Sequence, residues 1–121
     1  MSPEISHIMR HFYDDLEDHS STANSRPAIR NVGSSLYFIN HSNLETSVSD
    51  GSSKYNEFEA NYVVQLARYL VKQSYHPSQI TILTMYLGQR ALIARNVKSM
   101  CDLSGIRITV RFSLMLQLFT Q

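Results

Sequence analysis

A chain of 121 residues, 43% apolar and 17% charged, has room for one small folded domain, which argues against several domains and against disorder throughout. Its net charge of +1 names no partner. Residues 1–60, however, carry four basic and nine acidic side chains whereas residues 61–121 carry seven basic and one acidic, so the C-terminal half is the one suited to an anionic ligand.

A single cysteine, Cys101, excludes an internal disulfide, no signal peptide opens the chain, and no apolar run reaches the roughly 18 residues of a membrane span. These features predict a soluble protein of a reducing compartment, with no membrane partner, in the cytoplasm or alternatively the nucleus. Asn40-His41-Ser42 matches a glycosylation sequon, but without an export signal it is not expected to be used.

Ser2-Pro3-Glu4 reads as an N-cap, a proline at the first helical position and an acid facing the helix dipole, predicting a helix over about 3–16. Ile5, Ile8, Met9, Phe12 and Leu16 would form its apolar face. Residues 20–53 hold ten serines with Pro27, Gly33 and Gly51, and read as loop interrupted by a buried strand over Ser35–Asn40. Asn56, with Glu59 three positions on, is a capping-box variant that should start a helix running to about Ser74. Ala60, Val63, Leu66, Ala67, Leu70 and Val71 line one side of that helix, and Asn61, Gln65, Arg68 and Lys72 the other. After a turn at residues 76–79 come a strand over 80–84, a helix over about 87–100 and, past Gly105, an alternating strand over 106–110. In that second helix Leu92, Ile93, Val97 and Met100 share one arc, and Arg90, Arg95 and Lys98 the opposite one. Strand, helix, strand, helix, strand is the βαβ order, so the fold class is α/β, with an incomplete parallel sheet of three strands and flanking helices.

In open parallel sheets ligands sit beyond the carboxyl ends of the strands, where the next helix points its positive end. That places the candidate site at Thr84-Met85-Tyr86-Leu87-Gly88-Gln89-Arg90, whose hydroxyl, ring, glycine, amide and guanidinium suit a phosphodiester backbone. The competing reading is that Thr84 and Gly88 only make the turn and Tyr86 packs. No G-x-x-x-x-G-K-[ST] loop occurs, which argues against autonomous ATP hydrolysis. His7 and His11 with Glu4, and Asp14, Asp15, Glu17 and Asp18, read as solvated groups rather than metal ligands, because the H-E-x-x-H spacing is missing. No catalytic residue is assigned: no G-x-S-x-G elbow surrounds a serine, and Cys101 has no neighbouring base.

Met1-Ser2-Pro3-Glu4-Ile5-Ser6 resembles the end of the Q-x-R-M-x-P-E-I-S segment of superfamily 1 RNA helicases of the regulator-of-nonsense-transcripts type. Residues 53–60, Ser53-Lys54-Tyr55-Asn56-Glu57-Phe58-Glu59-Ala60, are similar to their S-x-x-N-x-x-E-A. The stretch from Tyr75 to Gln89 resembles G-Y-x-P-x-Q-I-x-I-L-T-x-Y-x-G-Q, in wording nearest to the NFX-type zinc-finger-containing helicases. The resemblance covers about residues 1–110 in collinear order. It implies part of the second RecA-like domain of an ATP-dependent RNA helicase, a P-loop NTPase. It further implies that Glu59 contacts the nucleotide ribose, that Thr84 and Tyr86 line the nucleic-acid channel, expected to hold single-stranded RNA, and that Gln89 braces the turn there; Arg90 joins them from the strand-end reading alone. ATP and Mg2+ would belong to the full-length parent, and none is expected for this chain alone.

The departures from the family pattern shape the rest of the expectation. The arginine of Q-x-R-M, the first RecA-like domain with its phosphate loop, and the zinc fingers are absent from the sequence. Residues 111–121 replace the expected V-D-x-F-Q-G-x-E with an apolar tail, expected to arise from a shifted frame or an incomplete gene model. The rival reading is a non-catalytic module that docks on a protein through this tail and the acidic N-terminal helix. A third reading is an unstable truncated product exposing a sheet edge.

Overall fold

The computed structural model describes residues 3–22, 29–34 and 36–110, and the chain divides into two units, Met1–Asn40 and His41–Gln121. The Ser2 cap, Pro27, Ser35 and the tail 111–121 with its docking role lie outside the described residues.

In the first unit the helix α1 spans Pro3–Met9, shorter than the 3–16 expected. Beyond it the chain turns back. The Arg10 guanidinium donates to the Leu16 carbonyl at 3.2 Å and to Asp18 Oδ2 at 2.9 Å, and the Ser6 hydroxyl donates to that same oxygen at 2.8 Å. A longer helix would have carried four acids on its negative C-terminal end, whereas the turn gives one of them two donors. The expected apolar face is not buried, and Ser6 is the buried residue of α1.

The strand expected over 35–40 does not form. Residues 36–40 have no strand structure, and Phe38 is 90% exposed. An apolar run becomes a strand only when a neighbour satisfies its backbone groups, and no described strand pairs with this one.

The second unit opens with a hairpin that the loop reading missed: β1, Thr46–Ser47, pairs antiparallel with β2, Lys54–Tyr55. Its connection carries Gly51 at φ 69°, in the Asp-Gly pair that marks tight hairpins. Helix α2 then spans Glu57–Lys72, a 3₁₀ turn spans Pro77–Gln79, and strand β3, Thr81–Thr84, leads into helix α3, Leu87–Lys98. Strand β4, Arg107–Val110, lies parallel to β3 in the register Thr81↔Arg107 to Thr84↔Val110. The described fold is thus mixed α and β, with one two-stranded parallel ladder where three strands were expected.

The core of this unit is Ala60, Val64, Ala67 and Leu70 of α2, Ile80, Ile82 of β3, Ile93 of α3 and Leu103. The α2 ridge recurs every three or four residues, as one helix face requires, and it includes Val64, whereas the expected Val63, Leu66 and Val71 are half-buried. No described helix is long and apolar enough to cross a membrane.

Candidate functional site

Thr84 ends β3 half-buried, and two residues later Tyr86 is the N-cap of α3, in extended backbone with φ −119° and ψ 140° and with no side-chain cap of its own. The cap comes instead from another element. Ser53, just before β2, accepts a hydrogen bond from the Gly88 N–H at 2.9 Å, satisfying one of the free donors of the first turn. The approach is close: a Cβ at Gly88 would lie 3.0 Å from the Lys54 carbonyl oxygen and 3.2 Å from Ser53 Oγ, so a side chain there would crowd the hairpin.

One residue on, Gln89 is 6% exposed, and its amide is held by the backbone of Asn56, itself 6% exposed. The Asn56 N–H donates to Gln89 Oε1 at 2.7 Å, and Gln89 Nε2 donates to the Asn56 carbonyl at 3.2 Å. Asn56 in turn caps α2, its Oδ1 accepting the Glu59 N–H at 3.1 Å. The expected capping box is therefore completed by Gln89 from α3 and not by Glu59. Each of the two motifs supplies what the other lacks.

With Gln89 turned inward, the outward face of this turn is made of Tyr86 and Arg90. The Tyr86 ring is 41% exposed, and Arg90, one helical turn on, is exposed with its backbone N–H bonded to the Tyr86 carbonyl. Lys54 stands on the adjoining hairpin, paired with Glu45. That hydrogen bond and charge raise the ammonium above its ordinary range, and the Tyr86 phenol adds a smaller pull in the same direction. Further along α3, Arg95 and Lys98 are exposed, whereas Arg68 of α2 is paired with Asp102 at 3.1 Å.

Glu59 sits in the first turn of α2, 52% exposed, with Oε1 3.0 Å from His41 Nε2. Beside it Asn43, Leu44, Thr46, Asn56, Glu57, Phe58 and Asn61 line an open groove of about 400 Å³. Among the described residues no three His, Cys, Asp or Glu side chains gather as a metal site; the His7 and His11 rings meet edge to face at 6.1 Å, and His11 Nδ1 lies 3.3 Å from the His7 carbonyl oxygen. The structure thus brings Thr84, Tyr86 and Arg90 to one helix start, sets Gln89 beneath them, and places Glu59 across the Asn56–Gln89 bridge. Ser53, Lys54 and His41 were not assigned roles from the sequence. The first two stand in the S-x-x-N-x-x-E-A stretch, where the hairpin made by Asp50-Gly51 could have brought them in.

Residues 1–111 match the family described as AAA domain. NFX1-type zinc finger-containing protein 1 of Mus musculus is 40% identical over 111 residues, which cover 91% of this chain and 6% of that protein, and its Homo sapiens counterpart shows the same figures. The Helicase required for RNAi-mediated heterochromatin assembly 1 of Schizosaccharomyces pombe is 39% identical over 97 residues, 78% of this chain and 9% of that protein. The chain thus spans less than a tenth of the length of these relatives. No solved structure matches it.

Proposed function

The chain belongs to the AAA domain family, on the superfamily 1 helicase side that includes the NFX1-type zinc finger proteins, and from that premise we propose that it is a segment of a second RecA-like domain that holds single-stranded RNA at the start of α3. The observation that carries this reading is the exposed Tyr86 ring beside Arg90, at the positive end of α3 and past the carboxyl end of β3. An aromatic face takes a base by stacking, and a guanidinium at the positive end of a helix takes the phosphate. Glu59 takes the nucleotide ribose as a hydrogen-bond acceptor, so the chain contributes one side of an ATP site whose phosphate loop belongs elsewhere in the parent enzyme.

Fluorescence anisotropy of the 121-residue chain with a labelled oligouridine tests the reading. The affinity is expected to fall as salt rises, because phosphate contacts release counterions. Tyr86→Ala is expected to weaken binding by about five- to 150-fold, in line with roughly 1–3 kcal/mol per stacked base, while leaving the salt slope unchanged. Salt-independent binding, or binding indifferent to Tyr86→Ala, would overturn the assignment. An equal affinity for oligothymidine would make the ligand single strands of either kind.

A further inference from the structure

We propose that His41 is a positioning residue for Glu59, fixing one carboxylate oxygen so that the other faces the ribose hydroxyls. The inference rests on the reading of Glu59 as the ribose contact. Its basis is the direction of the hydrogen bonds on the two edges of the imidazole. The Asn43 backbone N–H lies 3.2 Å from His41 Nδ1, and because an amide N–H can only donate, Nδ1 is the acceptor. The ring proton of the neutral form therefore stands on Nε2, which donates to Glu59 Oε1 at 3.0 Å.

Two further contacts make this pair a fixed one. The Phe58 ring flanks the imidazole, with centroids 4.9 Å apart and planes tilted by 47°. At the other end, the Glu59 backbone is anchored by its N–H on Asn56 Oδ1. The His41 side chain is 20% exposed and the Glu59 side chain 52%. Oε1 is thus bound on the protein side, and Oε2, with no partner among the described residues, is the acceptor left toward solvent. A carboxylate held in one rotamer loses less freedom on accepting a hydroxyl than a swinging one does, which is how pre-organisation raises affinity.

The test is NMR on the ¹⁵N-labelled 121-residue chain. Long-range ¹H–¹⁵N spectra should show His41 as the Nε2–H tautomer, and the Nδ1–H tautomer would overturn the proposal. Titration with AMP and with its 2′,3′-dideoxy analogue should show preference for the diol in the native chain. His41→Ala should weaken AMP by about five- to tenfold and remove the preference, a loss within the range of one net hydrogen bond. His41→Gln, whose amide can donate in place of Nε2, should recover most of both. If Glu59→Gln weakens AMP while His41→Ala does not, the positioning role fails and the ribose contact stands. If the native chain shows no preference for the diol, or Glu59→Gln is harmless, the ribose reading itself falls.

Discussion

Both ends of the Gln89 amide bond the backbone of Asn56 in a buried setting, so this one side chain satisfies a donor and an acceptor that water cannot reach. Replacing it by leucine keeps the volume and strands both groups, each at about 1–3 kcal/mol, so Gln89→Leu should cost roughly 2–6 kcal/mol, read as a lower urea midpoint. An unchanged midpoint would mean that the pair contributes nothing to folding. A milder case is Asp50, whose Oδ1 accepts from the Ser52 hydroxyl at 2.6 Å and from the Ser52 N–H at 2.9 Å, an arrangement typical of Asx turns. The two donors hold the Asp50 carboxyl below its ordinary 3.8. A depressed carboxylate adds its stability above that ordinary value and loses it as pH falls through the lowered one, so the hairpin should loosen only in acid. A ¹³C titration of Asp50 should have its midpoint below 3.8, and Ser52→Ala should move it upward.

At the scale of elements, the ends of the helices carry the argument. Helix α2 closes with the Tyr75 N–H on the Leu70 carbonyl and the Ser74 N–H on the Val71 carbonyl, which puts Ser74 at φ 73°. This left-handed position normally belongs to glycine, the residue that the resembling helicase pattern carries before its tyrosine. Serine there stores about 1 kcal/mol of strain, so Ser74→Gly should stabilise the chain by about that much in thermal unfolding. Gly88→Ala should act in the opposite sense. Its Cβ would meet the Lys54 carbonyl at 3.0 Å, and pushing the hairpin off α3 should cost about 1–3 kcal/mol by the same measurement.

These ends also explain what could be read from the sequence and what could not. Helices α2 and α3 and strands β3 and β4 announce themselves, because apolar periodicity and caps are local signals. The Asn56 cap was legible for the same reason, but its partner was not, since Gln89 lies 33 residues away and only the fold brings it near. The run at 36–39 misled because apolar residues record a tendency to be buried and not the neighbour that buries them. Thr84, Tyr86 and Arg90 could be placed together from the strand-to-helix order, whereas the His41–Glu59 pair is 18 positions apart, across the β1–β2 hairpin, and left no periodic trace.

For the whole molecule, the surplus of cations in residues 61–121 matters only where those cations are not already answered by acids. Arg68 is answered, its Nε 3.1 Å from Asp102, with both side chains about 40% exposed. Such an exposed pair is worth less than about 1 kcal/mol to folding and offers little charge to a phosphate. Arg90, Arg95 and Lys98 all lie on α3 and, like Lys72 of α2 and Arg107 of β4, have no acid beside them among the described ion pairs, so α3 carries the largest group of unanswered cations in this half. In the oligouridine titration, Arg90→Ala should therefore lower the slope of log affinity against log salt by about one contact, roughly 0.7 for a single strand. Arg68→Ala should leave that slope where it was. If both substitutions changed the slope equally, the field would belong to the net charge of the chain and not to the face of α3, and the placement of the strand along that helix would have to be given up.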